Sequence, residues 1–367
     1  GKSTVYNIRW SHSKDSKASP NSSFSASVNF GSSDYFRQSV NQLNTANFLN
    51  NNLSSSISYS KSFPGSAGVR LSLTANMSQN TQSKQVNLNL PTLTLNSARF
   101  YPFERKGKSK KGIFQNINLQ YSSKLENRAT FADDLLLKKG MFENAKSGVQ
   151  HLIPFTTNFK LFNFFSVSAG GRYQETWTGK TIRYNDFNES NGVVKDTLSG
   201  FDRFATYNYN ASITTKIYGI VNFKPEKRIQ SIRHTITPSI SYSNNPSFEQ
   251  YYDTYIIDAE GNTAEYTRFQ GGLYGTPQKG YSSSIGISIQ NTLEAKVKPK
   301  DSTQTELKKI NIFKNLNIST SYNLAADEFK LSPVRVTGSI DLAKGLSLNT
   351  GATFDPYALD ENNTRIN

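Results

Sequence analysis

The sequence predicts an all-β fold, an antiparallel transmembrane β-barrel or a large part of one. Apolar and polar residues alternate along most of the chain, many of the alternating runs reach about ten residues or more, and long and short connectors between them alternate as well. We expect one barrel domain over residues 1–367, itself a portion of a larger barrel.

The segment 67–78 illustrates the alternation. Val69, Leu71 and Leu73 fall on one face, whereas Arg70 falls on the other face with Ser, Thr and Asn residues. A tilted strand needs about 9–11 residues to cross a bilayer, which is about twice the usual strand length in globular sheets. A soluble β-sandwich or an elongated β-solenoid would also alternate and stays open as an alternative, although no repeat of fixed period supports the solenoid.

The composition is typical of a folded chain that meets an anionic partner. The formal net charge is +15, from 42 Lys and Arg against 27 Asp and Glu, and the 24 Phe and 19 Tyr are more aromatics than a disordered chain carries. Cysteine is absent, which excludes disulfides and thiolate metal sites. No run of about 18 apolar residues predicts a membrane-spanning helix. The first residues resemble a strand rather than a signal peptide, so we expect a mature or trimmed chain.

The connectors separate into two groups according to the side of the sheet on which they fall. We predict strands at 5–14, 22–31, 51–62, 67–79, 84–98, 113–126, 149–162, 165–177, 204–218, 231–243, 282–298, 309–324, 333–343 and 346–355. One side carries the long connectors 32–50, 127–148, 178–203 and 244–281, with shorter ones at 80–83 and 325–332. The other side carries the turns KDSKASPN, FPGSA, NF and AKG, with intermediate connectors at 99–112, 219–230 and 299–308. Short periplasmic turns and long extracellular loops are typical of outer-membrane barrels, so we expect the Gram-negative outer membrane.

Charged residues within the predicted strands fall mainly opposite the apolar row. The basic ones expected to face the lumen are Arg9, Arg70, Lys124, Lys160, Arg172, Lys216, Arg233, Lys296 and Arg335. The acidic ones are fewer, namely Glu126, Glu175, Glu294 and Asp341. Placing Arg or Lys on the lipid face costs about 2–4 kcal/mol, which by itself explains why charge points inward. The excess of positive charge further predicts a lumen that favours anionic cargo.

A basic segment, ARFYPFERKGKSKKG at 98–112, joins two strands on the short-turn side. Its cations are Arg99, Arg105, Lys106, Lys108, Lys110 and Lys111. We interpret it as a periplasmic rim at which cargo or a partner arrives, with its aromatic residues at the membrane interface. A solvated turn that only binds anionic headgroups is the alternative. Nucleic-acid binding is disfavoured, because the charges of the chain divide between a lumen and its turns rather than forming one continuous face.

The sequence contains no catalytic constellation. His12, His151 and His234 are isolated, and no nucleotide-binding or nucleophile motif follows a strand. The glycines of GGLYG at 271–275 are interpreted as flexible turn material. We therefore expect no enzyme activity, metal or cofactor, while an enzyme working inside a barrel stays a minor alternative.

Three prolines lie within or at the start of predicted strands, where each removes a hydrogen-bond donor. Pro154, Pro238 and Pro333 predict a bulge or a strand end. The alternative is a locally weakened sheet that can open.

Several segments together resemble a known family. They are NNLSSSISYSKSFPGSAGVRLSLTANMSQNTQSKQVNLNLPTLTLNSARFYPFERK (51–106), SIRHTITPSISYSNNPSF (231–248), NTLEAKVK (291–298), NISTSYNLAADEFKLSP (317–333) and FDPYALDENNTRIN (354–367). In this order they resemble the barrel of the LptD family of lipopolysaccharide-assembly proteins, in a divergent branch.

The resemblance implies an outer-membrane translocon that works without covalent chemistry. It implies lipopolysaccharide and outer-membrane lipids as partners, together with an LptE-type lipoprotein plug and periplasmic bridge components. The sugar and phosphates would cross through the lumen, and the lipid would leave through a lateral seam. The periplasmic jellyroll of the family is missing from the sequence, and no seam residue can be assigned. A general porin or receptor-type barrel for small anionic solutes, and a surface-exposed scaffold protein, stay open as alternatives.

Overall fold

A computed structural model describes residues 6–32, 52–65, 68–105, 112–299, 306–343, 346–362 and 364–366. Most of them belong to one antiparallel sheet of 16 strands. No helix in these ranges is long and apolar enough to cross a membrane.

The strands of the main sheet follow the chain in sequential order, as expected for an up-and-down barrel wall. They are β1 (Asn7–Ser13), β2 (Ser22–Gly31), β3 (Asn52–Phe63), β4 (Val69–Asn80), β5 (Gln85–Asn96), β6 (Asn118–Leu119), β7 (Ser122–Ala132), β8 (Lys146–Leu161), β9 (Phe165–Tyr184), β10 (Lys195–Thr214), β11 (Ile217–Asn222), β12 (Ile229–Asn245), β15 (Ser282–Val297), β16 (Lys308–Asn323), β17 (Val334–Ala343) and β18 (Leu346–Phe354). Two small hairpins lie outside it, β13 (Tyr252–Ile256) with β14 (Thr263–Thr267) and β19 (Ala358–Leu359) with β20 (Arg365–Ile366).

Every predicted strand overlaps a strand of the main sheet, but the predicted strand 113–126 begins too early, since Phe114–Asn116 form a 3-10 helix and β7 begins only at Ser122. Several predicted connectors also differ in extent. β9 and β10 are each 20 residues long, so the predicted loop 178–203 shrinks to the residues 185–194. The predicted loop 127–148 shrinks to 133–145 in the same way. The strand ends that border these two connectors are polar and charged. Their composition is typical of a loop, so the sequence does not indicate that strand pairing continues there.

The pairing register divides the main sheet into one polar and one apolar face. On the polar face, Ser60 pairs with Ser72, Ser72 with Thr94 and Thr94 with Lys124. One position along, Tyr59 pairs with Leu73 and Leu73 with Leu93 on the apolar face. Because residues directly opposite each other in a sheet share a face, the alternation in sequence becomes a continuous separation across the strands.

The short-turn ends carry exposed aromatic side chains. The β8–β9 connector turns through Phe162 and Asn163, whose φ angles of 51° and 62° match a tight hairpin turn. Phe162 and Phe164 expose 74% and 75% of their surface. Aromatic girdles mark both interfaces of outer-membrane barrels, so this turn marks the periplasmic interface.

At the opposite end, the connector 133–145 covers part of the apolar face. Val86, Leu88, Ala129 and Phe131 form a buried cluster there. Leu135, Leu136, Met141 and Ala145 from the connector, together with Met77, pack against this cluster. This end of the apolar face is therefore covered by the chain itself.

Two prolines interrupt the ladder without changing its register. Pro238 accepts a hydrogen bond from the Thr215 amide at 3.3 Å but has no N–H to return. β10 ends at Thr214 and β11 begins at Ile217 on either side of this point, and Thr214–Ser239 and Ile217–Ile236 keep one register.

Pro154 interrupts the ladder between β6 and β7 in the same way. Its carbonyl accepts a hydrogen bond from the Gln120 amide at 3.2 Å, but it has no N–H to return. Pro333 immediately precedes β17, as predicted for a strand end. Neither a bulge nor a strand end occurs at Pro154 within β8 or at Pro238 within β12, so the prediction for these two prolines is wrong. The interruption falls in the partner strand.

Replacing Pro238 by Ala should restore the missing donor. We expect amide hydrogen exchange at Thr215 and Lys216 to slow by about fivefold, since a net hydrogen bond contributes about 1 kcal/mol. Exchange at Thr206, which lies on β10 far from the substitution, is the internal control. Unchanged exchange at both residues would contradict this explanation of the interruption.

Candidate functional site: the basic polar face

The polar face carries most of the basic residues that the sequence predicts to line a lumen. The structure places Arg9, Arg70, Lys124, Lys160, Arg172, Arg233, Lys296 and Arg335 on it by their pairing partners. Lys216 lies between β10 and β11 rather than within a strand, and the unchanged register puts it opposite Thr237 on the same face. The cations are thus spread over the sheet rather than gathered at one point.

Carboxylates neutralise two of these cations. Glu126 pairs with Lys124 and, at 2.7 Å, with Arg128, and its side chain is only 3% exposed. Glu294 pairs with Arg233 and, at 2.6 Å, with Lys309.

The other cations keep their charge available. Among the described residues, Arg9, Arg70, Lys160, Lys296 and Arg335 have no carboxylate partner. Arg172 donates to the Gln174 amide oxygen at 2.7 Å, which orients the guanidinium without neutralising it. The polar face therefore keeps a net positive field.

A large open cleft lies at the short-turn end of the polar face. Its volume is about 820 Å³, and its lining combines the polar side chains Lys160, Asn158, Ser166 and Ser212 with the apolar side chains Phe159, Leu161 and Val167. Ile113, from the segment that follows the basic connector, forms part of its border and accepts a hydrogen bond from Thr157 at its carbonyl. We call this the Lys160 cleft. A lysine without a carboxylate partner, beside hydroxyl and amide groups and an apolar wall, suits an amphiphilic anion.

A second, smaller pocket lies on β9 and β10, closer to the long-connector end of the sheet. It has a volume of about 210 Å³ and is lined by Arg172, Gln174, Thr206 and Asn208 from β9 and β10, with Thr276 and Gln278 from the connector 246–281. We call this the Arg172 pocket. Its lining presents one cation and several neutral hydrogen-bonding groups, with the aromatic rings of Phe204, Tyr207 and Phe248 beside them.

The connector 246–281 covers the polar face above the Arg172 pocket. Phe269 packs on Phe204 of β10 with ring centroids 4.7 Å apart, and Arg268 lies 4.7 Å from the Phe269 ring while its Nε donates to Asp202 at 2.6 Å. Tyr255 of the β13–β14 hairpin stacks on Tyr184 at 4.6 Å. Aromatic contacts therefore hold this connector to the upper ends of β9 and β10.

Tyr274 anchors the far end of the same connector. Its hydroxyl donates to the Lys124 carbonyl at 3.0 Å, and its ring lies against Gly148, where a Cβ atom would come within 3.3 Å of it. Burial raises the pKa of the Tyr274 phenol to about 12, and the charge of Glu126 adds to the shift. On either side of it, Gly271 and Gly275 adopt turn conformations with φ of 75° and 77°, in agreement with the turn predicted for the glycines of 271–275.

One acidic residue occupies the face opposite to the predicted one. Glu175 lies on the apolar face with Tyr173 and Trp177, since it pairs with His151 and Ala205. The sequence already indicates this position, because residues two positions apart in a strand share a face and Glu175 lies two positions from both Tyr173 and Trp177. The separation between polar and apolar faces is therefore broken at this point.

Only part of the predicted periplasmic rim falls in the described residues. Arg99 and Arg105 are exposed, and Phe100 forms a bridge with Leu119. Lys106, Lys108, Lys110 and Lys111 lie outside the described residues. His12 and His151 contact aromatic rings, and His234 contacts Asn291. No group of three or more Asp, Glu or His side chains in the described ranges is arranged to hold a metal ion.

The fold defines the class of protein, an antiparallel transmembrane β-barrel, whose sheet separates an apolar row from a polar, basic row. A family model described as LptD protein matches residues 1–357, so the chain belongs to the LptD family. This membership carries a role in the transport and assembly of lipopolysaccharide at the outer membrane, in a family of non-enzymatic transport proteins. A comparison of the sequence with curated proteins returned no match.

The raised pKa of Tyr274 predicts how the connector 246–281 responds to alkali. Below pH 10 the phenol is protonated whether the connector is docked or free, so the hydroxyl contributes fully to docking. Between about 10 and about 12 the free form loses its proton first, and docking weakens as the pH rises.

Alkaline titration of tyrosine absorbance would measure this. The tyrosine absorbance of the parent chain minus that of Tyr274→Phe gives the titration curve of Tyr274, which should have its midpoint near pH 12. The same subtraction with Tyr218→Phe, on the exposed strand β11, provides the control. A midpoint near 10 for Tyr274 would contradict the docked arrangement.

Proposed function

We propose that the chain is the barrel portion of a translocon that inserts lipopolysaccharide into the outer leaflet. The phosphorylated sugars move along the basic polar face, and the acyl chains leave through a lateral seam in the barrel wall. We also propose that residues 1–367 act as one barrel domain within a larger assembly.

The main observation in support is the succession of sites along β8, β9 and β10. The Lys160 cleft opens at the short-turn end, the Arg172 pocket lies above it, and the connector 246–281 covers the pocket at the long-connector end. Lys160 and Arg172 lack a carboxylate partner in the described residues. An anion that enters from the short-turn side thus meets one cation after another before it meets the cover.

The mechanism needs attraction that is strong enough to draw cargo in and weak enough to release it. Charge is divided among several exposed side chains, and Glu126 and Glu294 neutralise part of it, so no site gathers many cations around one phosphate. A path of moderate, repeated contacts suits transfer better than one tight site does.

The partners are proposed on the same basis. The basic segment 98–112 would meet periplasmic bridge components or cargo at the rim, and an LptE-type lipoprotein would occupy the lumen beside the polar face. Outer-membrane lipids would contact the apolar row. The role of each basic side chain in the substrate path stays a prediction.

Adjacent residues on opposite faces offer a direct test. A photo-crosslinking amino acid at Lys160 or Arg233 should give lipopolysaccharide adducts in cells, at least about fivefold above those from the neighbouring outward positions Leu161 and His234. These four positions lie towards the short-turn end, where the outward side meets the inner leaflet of the outer membrane.

Adducts from Leu161 and His234 without adducts from Lys160 and Arg233 would overturn the lumen path. Absence of adducts from all four positions, with stable open channels in planar bilayers, would favour a general porin for small anionic solutes instead.

A further inference from the structure

An ion pair lies on the face that meets lipid. Arg203 of β10 pairs with Trp177, and Glu175 lies one outward position below Trp177 on β9. Arg203 Nη1 donates to Glu175 Oε1 at 2.8 Å. Because a charge on the lipid face is destabilising near the midplane, this pair requires a location or a ligand that offsets the cost.

The carboxylate of Glu175 is fully engaged by its neighbours. The Tyr173 hydroxyl and the Trp177 indole N–H each donate to it at 2.8 Å, in addition to Arg203. Its side chain is 14% exposed, whereas that of Arg203 is 63% exposed. Glu175 therefore holds Arg203 in place, while most of the guanidinium surface stays open.

Aromatic rings surround the pair on the same face. Trp177 packs against His151 at 4.4 Å and against Phe201 at 5.6 Å, and His151 Nδ1 contacts the Tyr121 hydroxyl at 2.8 Å. A β-bulge between Ser199 and Asp202 immediately precedes Arg203. Bulges are common where a strand redirects a side chain towards a functional surface.

The position along β9 places the pair at the outer interface. The exposed Phe164 marks the periplasmic end of this strand, and Glu175 lies about ten residues further towards the long-connector side. About 9–11 tilted residues cross the hydrocarbon core, so Glu175 and Arg203 reach the level of the outer-leaflet headgroups. Trp and Tyr are the residues expected at that level.

We propose that Arg203, positioned by Glu175 beside Trp177, binds the phosphate of a phosphorylated glycolipid headgroup in the outer leaflet. The planar guanidinium presents several N–H donors, and one nitrogen engages Glu175, so the others can take phosphate oxygens. The indole and phenol rings beside it suit the apolar face of a sugar or the start of an acyl chain. This outward site is separate from the lumen path and does not depend on it.

Trp177 provides a reporter for this site. The chain contains 2 Trp, so a Trp10→Phe background leaves Trp177 as the only indole. The whole chain in phosphatidylcholine nanodiscs would be titrated with bisphosphorylated lipid A, with fully dephosphorylated lipid A and with inorganic phosphate, while the Trp177 emission is measured. Heat-modifiable gel migration verifies folding of every variant.

Arg128→Ala is the matched control. Arg128 forms a comparable ion pair with Glu126 at 2.7 Å and is 52% exposed, but it lies on the polar face. We expect a saturable response to bisphosphorylated lipid A, an apparent Kd at least about tenfold weaker in Arg203→Ala, and an unchanged Kd in Arg128→Ala. Arg203→Lys, which keeps the charge without the planar fork, should be weaker by at least about threefold and serves if the Ala variant does not fold.

Three results would overturn the proposal. The first is an unchanged Kd in both Arg203→Ala and Arg203→Lys. The second is a response to dephosphorylated lipid A as large as that to bisphosphorylated lipid A. The third is an equally large response to inorganic phosphate alone, which would assign the site to a free anion. Because none of these measurements involves the lumen, they can fail while the crosslinks from Lys160 and Arg233 succeed, and the converse also holds.

Discussion

Backbone hydrogen bonding is the constraint on which the structure depends. A strand surrounded by lipid has no water to satisfy its N–H and C=O groups, so each group must pair with a neighbouring strand. The sequential antiparallel order from β1 to β18 meets this demand. Pro154 and Pro238 each lack one donor, and the register continues past both of them because the pairs on either side still bond.

The ladder also decides where charge can lie. Since side chains alternate across a paired strand, a hydrophobic row fixed against lipid sends every second residue to the interior, and the basic residues follow. Arg203 is a charge on the apolar face, and a carboxylate with aromatic hydrogen-bond donors accompanies it. The basic polar face and the outward Arg203 site therefore both result from the alternation of side chains along the strands. They differ in the residues that surround the charge.

Sequence reasoning predicts the strands and their faces because both depend on local alternation. The prediction for Glu175 is wrong, because it assigns this residue to the polar face although Glu175 lies two positions from the apolar Tyr173. Sequence reasoning does not predict the extent of β9 and β10, whose ends on the long-connector side are polar. Nor does it predict the docking of Tyr274 on β7 and β8, because these partners are far away in sequence. The packing of the connector 246–281 on the main sheet depends on how well the two surfaces fit, and the alternation of residues along the strands does not determine that fit.

The central claim is that the polar face is interior and the apolar face meets lipid. The chain has 0 Cys, so single cysteines can be placed along β9 from 165 to 177 and spin-labelled without a background. The claim predicts that labels at odd positions collide with oxygen dissolved in the bilayer and that labels at even positions collide with a water-soluble nickel reagent. A reversed pattern, or accessibility without a period of two, would contradict it.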